Sequence, residues 1–584
     1  MAAGKACTRL ACQAPGSGKI LTGTSLSRDL DLLQWPVDLL LLKKVSIQVN
    51  THVELLSSET KQLSQLAGLL KKAAGYLSGD MDREQQQLYE LAMAQSQVAA
   101  AEALVRLTRQ TAQQDAPAST DIYRACASYF VCETISEVTH KLLKRPRSFG
   151  LEHAELAALT EGLDALAPEA VEQLGQTFLE SGIPDMPLNE EQRIIRDTFH
   201  DFANDIVTPL AESVHRQDLL VPDEILEPLK SMGCFGLSVP QRFGGLKPDD
   251  HEDSLGMVIV TEELSRGSLG AAGSLITRPE IMARAIMEGG TAAQQERWLP
   301  AIAAGEPLCA ISVTEPNTGS DVANVALRAT PTTGGWLLNG GKTWCTFAGK
   351  AGLILVLART DTEVQPPHKG LSLFVVPKPA SDGHDFEHEQ AGGGKVTGRA
   401  IATLGYRGMH SYEMFYDNFF VADEDLIGEK DGIGKGFYFT MRGFMGGRLQ
   451  TAARACGLMR AAFESAQQYA KDRKVFGKPV ADYPLSAAKF AHMGALICAA
   501  KASTWEVAEL MDRGEGAMEA SLVKLFACRA AEWVTREAVQ VYGGMGYAEE
   551  TDVSRFFADA RVLSIFEGAE ETLAIRVVGK ALSQ

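Results

Sequence analysis

Four strand-like runs crowd into one stretch of a chain whose remaining text is written for helices, and this constrains the architecture more than any other feature. "GWLLNGGKTWCTF" (335–347) and "YEMFYDNFFV" (412–421) are rich in aromatic residues, while "GLILVLART" (352–360) and "GLSLFVVP" (370–377) are apolar runs. Such runs suit strands buried on one or both faces. Asn339-Gly340 within the first predicts a two-residue hairpin turn. On either side of this block apolar residues step by three and four. Leu88, Leu91, Val98, Leu104 and Leu107 do so, as do Ile135, Val138 and Leu142. A longer stripe runs through Leu449, Ala453, Cys456, Met459, Phe463, Ala466 and Ala470.

The expected architecture is therefore mainly α with a central β domain. A disordered or targeting-like start (1–35) leads to a helical extension (36–180), an α domain (186–308), the β domain (309–430) and a second α domain (431–584). At 584 residues several domains are expected. "SGIPDMPLNEEQ" (181–192) reads as the linker after the extension. "QQDAPAST" (113–120) reads as a loop with Ser119 or Thr120 capping the next helix.

A formal charge of −18 argues against a nucleic-acid binder, whose footprint is a basic face. It leaves room for an anionic small ligand at local basic groups. No apolar run reaches the length of a membrane span, so membrane insertion is not expected. Ten cysteines without a CxxC pair or a Cys/His cluster indicate reduced thiols in a cytoplasmic setting and no metal site. The first 28 residues carry Lys5, Arg9, Lys19 and Arg28 and no acid, which keeps a mitochondrial matrix location as the alternative.

No HExxH, P-loop or G-x-S-x-G occurs, and "GIGKGF" (432–437) does not leave a strand in a βαβ unit. Four other stretches draw attention. In "VTEPNTGSDVANV" (313–325) the hydroxyls of Thr314 and Ser320 flank Gly319, where backbone N–H groups can approach a ligand. In "GGKTWCTF" (340–347) Trp344 and Thr346 alternate with Cys345 and are expected on one strand face, suited to a flat heteroaromatic ligand. "QVYGGMGYAEETDVSRFFADAR" (540–561) has the Gly543-Gly544 step, a turn or a close pass over a phosphate. Near the C-terminus, "SIFEGAEETLAIRVVG" (564–579) sets Glu567 between Phe566 and Gly568.

The order and spacing of these stretches resemble the acyl-CoA dehydrogenase family over residues 186–584. Gln540, Gly543, Gly544, Gly546, Tyr547, Glu550, Arg555 and Asp559 follow its C-terminal signature, and "TEPNTGSD" its other one, with departures at Thr318 and Asn324. The resemblance implies an α-bundle/β-barrel/α-bundle fold and FAD. Thr314 and Thr346 would hydrogen-bond the flavin ring, Trp344 would pack on it, and Gly319 and Ser320 would lie by the phosphates. "DRKVFGKPV" (472–480) would reach a neighbouring subunit's FAD, Arg473 at its pyrophosphate and Phe476 at its adenine end, with Gln540, Gly543 and Gly544 along the cofactor. Pro484 stands near a usual glutamine, and Ala569 and Glu571 replace a usual Thr and Gln.

By the same resemblance "FEG" supplies the catalytic base, Glu567. The family's other position for the base, beside Arg448, is Gly447 here. The chemistry implied is α-proton abstraction from an acyl-CoA thioester with hydride transfer to the flavin, the electrons passing to an electron-transfer flavoprotein. Within the pocket segment, Arg278 in "TRPE" is basic where members are often less so, and Arg266 is a second candidate. The helical extension, unusual for the family, resembles the architecture of members acting on a short, branched acyl-CoA with a free carboxylate, and by that resemblance these arginines, with Ser320 and Gly568, stand on the substrate side; a pair of Arg278 with Glu280 or a surface contact is the plainer alternative. The extension suggests a homodimer rather than a tetramer. The competing readings are a generic short- or branched-chain dehydrogenase, an acyl-CoA oxidase, and a flavin-bearing DNA-binding relative.

Overall fold

The computed structural model describes residues 56–583 apart from 114–116, so the expected start over 1–35 lies outside the described residues. The helices fall where the apolar stripes lie. Ser57–Tyr76, Gln85–Ala112, Pro117–Leu143 and Pro168–Ser181 are the long helices in the described part of the extension. Leu88, Leu91, Val98, Leu104 and Leu107 are all buried on one of them. The stripe from Leu449 to Ala470 is buried along the 37-residue helix Gly436–Asp472. Ser119 and Thr120 do not cap: Pro117 starts the helix, its fixed φ suiting the first turn, and both residues lie inside. The 181–192 segment is held down, because Tyr123 Oη donates to the carbonyls of Pro184 and Asp185. Asn189 then caps Glu190–Phe202 in a reciprocal box with Gln192.

Eight strands form one curled sheet: β1 (Cys309–Ser312), β2 (Arg328–Thr332), β3 (Gly335–Thr346), β4 (Leu353–Arg359), β5 (Leu371–Pro377), β6 (Asp385–Glu389), β7 (Lys395–Ala400) and β8 (Ser411–Ala422). Their order is β1-β4-β2-β3-β8-β7-β6, with β5 on β4. The unbroken apolarity of β4 has a structural reason. Leu353, Leu355 and Leu357 join one apolar cluster with residues of the helix Thr277–Gly289, while Ile354, Val356 and Ala358 join the cluster inside the curl. Asn339-Gly340 does not form the expected hairpin. The β2–β3 turn comes earlier, at Thr333-Gly334, and Asn339 sits in a register shift of β3 where its Oδ1 accepts from Asn418 N.

The extension and the C-terminal helices share one apolar cluster. Phe130 packs edge-on to Phe526, and Phe178 to Phe463. A smaller cluster joins Ala92 of Gln85–Ala112 to Leu573, Ala574 and Val578, just beyond Glu567. All eight described cysteines are free and buried. Among the described residues no helix is long and apolar enough to cross a membrane.

Candidate active site

Glu567 sits in the tight connection between the helix Asp552–Leu563 and the short helix Glu570–Thr572. The N–H groups of Ile565 and Phe566 donate back to Val562 O, and Glu570 N–H donates to Ser564 O, which closes the loop. Within it Glu567 adopts φ 53° and Gly568 φ 106°. The left-handed conformation costs a non-glycine residue about 1–2 kcal/mol, so the surrounding bonds must hold it. One of them is Lys524 Nζ, which donates to Gly568 O at 2.6 Å. A side chain at 568 would meet Leu573 at 2.9 Å. Among the described residues nothing accepts from the Glu567 N–H, which leaves it as a donor for a ligand oxygen.

The Glu567 carboxylate is buried, its side chain only 8% exposed, and it lies over the helix Gly436–Asp472. A Cβ on Gly447 would stand 3.0 Å from its Oε2, so Gly447 provides the space the acid occupies. Arg278, in the first turn of Thr277–Gly289, donates from one guanidinium nitrogen to Glu567 Oε1 at 3.1 Å, with its side chain 6% exposed. The local pair of Arg278 with Glu280 does not form, because Glu280 binds Arg284 four residues on.

Three further cations surround the acid: Arg448, Arg454 and Lys524. Burial lowers the pKa of each from its ordinary value, and the Glu567 charge works against that lowering. Arg454 is fully buried, donates to Ser274 and Thr451, and lies over the Phe566 ring at 4.8 Å. Tyr406 meets the same ring edge-on at 5.4 Å. The site thus holds more buried positive than negative charge.

The residues proposed for a flavin fall into two settings. Thr346 Oγ1 and Ser411 Oγ are 2.9 Å apart, and Thr314 O accepts from Thr343 N–H. Trp344 is 55% exposed, whereas Cys345 and Thr346 are buried. The expected simple alternation fails here, because β3 shifts register between Lys342 and Cys345 and Trp344 takes φ 57°. Glu315 holds the 313–325 loop in place: its carboxylate accepts from the N–H groups of Ala326 and Leu327 and from the buried Lys342 Nζ. Ser320 Oγ accepts from Thr572 and so ties that loop to the Glu567 segment. Gly319 is exposed beside it.

The second setting is the surface. Gln540, Gly543 and Gly544 are exposed, and an added Cβ at either glycine would meet nothing within 4 Å. Lys474–Val475 and Lys478–Pro479 pair around Phe476-Gly477, both at positive φ. That turn presents a Phe476 ring that is 99% exposed, with Arg473 exposed at the preceding helix end. Arg266 belongs to neither setting. It binds Glu464 and Asn204, and its backbone N lies against Gly457 of Gly436–Asp472, about 15 Å along that helix from Gly447. It is an anchoring arginine, not a pocket one.

Sequence reasoning missed the brace behind Glu567. Glu570 accepts from Arg529 at 2.5 and 2.7 Å and from Tyr89 Oη of the extension. Tyr89→Phe is expected to lower turnover a few-fold and to destabilise by about 1–2 kcal/mol, from the loss of one bond to a charged group. Turnover and a urea transition on the same preparation check it.

Asp559 gives a pH signature. Burial pushes its pKa from 3.8 up to about 6 against the lowering effect of Arg555, while the carboxylate accepts from Tyr406 N–H. The folded chain therefore holds this proton more tightly than the unfolded one. Its favourable contribution is complete below about pH 4 and is lost as pH rises through 6. Asp559→Asn, which keeps an acceptor, should gain up to about 3 kcal/mol on the parent across that window. Urea midpoints at pH 4 and 7 measure the difference.

Three family models cover most of the chain beyond the extension: the acyl-CoA dehydrogenase N-terminal domain matches 189–306, the middle domain 310–419 and the C-terminal domain 434–582. (2S)-Methylsuccinyl-CoA dehydrogenase of Cereibacter sphaeroides is 43% identical over 397 residues, 68% of this chain and 70% of that one. Butyryl-CoA dehydrogenase of Megasphaera elsdenii matches with a TM-score of 0.62 at 29% identity, over 69% of this chain and 100% of that one. Glutaryl-CoA dehydrogenase in complex with glutaryl-CoA gives 0.61 at 26%, over 68% and 95%. The chain belongs to the acyl-CoA dehydrogenase family, a family of FAD-dependent oxidoreductases.

Proposed function

We propose that the protein dehydrogenates a short, branched, carboxylated acyl-CoA, (2S)-methylsuccinyl-CoA to mesaconyl-CoA, as in the ethylmalonyl-CoA pathway. One observation carries this reading: a buried carboxylate, Glu567, lies against Gly447 beside Arg278 and a surplus of buried cations. Glu567 takes the α-proton. Its free backbone N–H polarises the thioester carbonyl, which makes that proton acidic enough to leave. Phe566, Tyr406 and Arg454 pack behind the base and exclude water. Arg278 binds the substrate's carboxylate; the surplus positive charge favours a substrate that brings a negative one. The 43% identity to a methylsuccinyl-CoA dehydrogenase supports the choice of acyl group.

The donor set fits FAD. Thr314, Thr346 and the exposed Trp344 suit the ring, and Gly319 and Ser320 suit the phosphates. Arg473, Phe476, Gln540, Gly543 and Gly544 form open surface suited to the cofactor of a second copy. When bound, FAD supplies the two-electron acceptor for the β-hydrogen. A homodimer, with an electron-transfer flavoprotein as the next acceptor, completes the reading. Turnover of a CoA-ester panel with an artificial acceptor tests it: methylsuccinyl-CoA should exceed butyryl-CoA and glutaryl-CoA, and equal rates would remove the substrate assignment.

A further inference from the structure

We propose that the Arg278–Glu567 ion pair is a latch operated by the substrate: it holds the base in the resting site and opens when a carboxylate on the acyl chain takes Arg278 over. This rests on reading Glu567 as the base and a carboxylated acyl-CoA as the substrate. The geometry points that way because, among the described residues, Arg278 is the one side chain bonded to the Glu567 carboxylate, and both are buried. Arg278 and Glu567 are 6% and 8% exposed, so water screens the pair poorly. The bond occupies Oε1, while Oε2 looks over Gly447. The other three cations have other anchors: Arg454 on Ser274 and Thr451, Arg448 on Ser521, and Lys524 on Gly568 O. Arg278 is therefore the one whose partner can be exchanged without breaking a structural bond.

The exchange keeps the guanidinium paired. One carboxylate replaces another on the guanidinium, so no buried cation is left unpaired at any stage. The released Glu567 then accepts the α-proton: the Cα–H bond breaks, its electron pair stays with the acyl group, and an O–H bond forms on Glu567. An uncharged acyl chain cannot make the exchange. It leaves the base engaged with Arg278, or it strands a buried guanidinium, and in both cases proton removal is slow. The same pair thus binds the correct substrate and penalises wrong ones.

Arg278→Gln and Arg278→Lys in the FAD-loaded protein test the latch. With Arg278→Gln, kcat/KM for methylsuccinyl-CoA should fall roughly a hundredfold or more, the effect of removing one partner of a buried charge pair. Butyryl-CoA should move the opposite way and rise about tenfold, because its base is no longer held. Arg278→Lys, which keeps the charge, should show no gain with butyryl-CoA. Calorimetry gives a readout besides activity: Arg278→Gln should weaken binding of mesaconyl-CoA and leave crotonyl-CoA binding equal or tighter. A butyryl-CoA rate that falls or stays level in Arg278→Gln overturns the latch, even if carboxylate binding is lost. A parent enzyme that turns over butyryl-CoA as fast as methylsuccinyl-CoA overturns the underlying substrate reading instead.

Discussion

Glu567→Gln is expected to give a folded, yellow protein that binds its thioester but reduces its flavin at least about 10⁴-fold more slowly than the parent. The side chain keeps its volume over Gly447, and the loop keeps its Lys524–Gly568 bond, so structure and cofactor should survive. What is lost is a group able to accept the α-proton in the transition state, a role worth 10²–10⁴-fold in general base catalysis and more where no water can substitute. Water is a poor substitute here, since Phe566 is covered by Tyr406 on one side and Arg454 on another. The amide can still accept from Arg278, so substrate affinity gives the control. Binding within a few-fold of the parent together with lost flavin reduction assigns Glu567 to chemistry. Loss of both would make it a structural residue.

Glu315→Ala carries the largest expected cost in stability. The Glu315 carboxylate is the ionic partner of Lys342 Nζ, on a lysine side chain with no exposure, and it also receives two backbone N–H groups. Removing one partner of a buried pair costs about 3–5 kcal/mol, because the remaining charge and donors are left unsatisfied. Burial already lowers the Lys342 pKa against the opposing pull of Glu315. The variant should therefore shed a proton there and loosen the 313–325 loop. Lower FAD content and a thermal midpoint reduced by roughly 5 °C or more are the expected results. Unchanged cofactor content would show that the loop's position does not depend on this pair.

Much of the architecture is readable from local pattern. The stripe from Leu449 to Ala470 specifies a buried helix face, and the unbroken run in β4 specifies a strand covered on both sides. Glu567 stands out because an acid beside Phe566 and Gly568 conflicts with its apolar surroundings. The interactions that give the site its character are not local. Arg278 meets Glu567 across 289 positions and Tyr89 meets Glu570 across 481, and neither pairing leaves a trace in spacing. Glu315 reads as one acid in a polar loop until the fold brings Lys342 beneath it. Two misreadings share a cause: Asn339-Gly340 and Trp344 both sit at register shifts of β3, and a bulge breaks the period of two on which strand reasoning depends.

The extension reaches the Glu567 segment through Tyr89 and through the cluster of Ala92 with Leu573 and Val578. Arg576 also pairs with Asp82. The segment carrying Glu567 is therefore braced by residues outside the matched family domains, which begin at residue 189.

The most direct measurement is anaerobic addition of (2S)-methylsuccinyl-CoA to the FAD-loaded protein while the flavin absorbance is followed. Rapid bleaching with this ester and slow bleaching with butyryl-CoA are expected, both abolished in Glu567→Gln. A flavin that stays yellow with every ester tried, in protein that holds FAD, would contradict it.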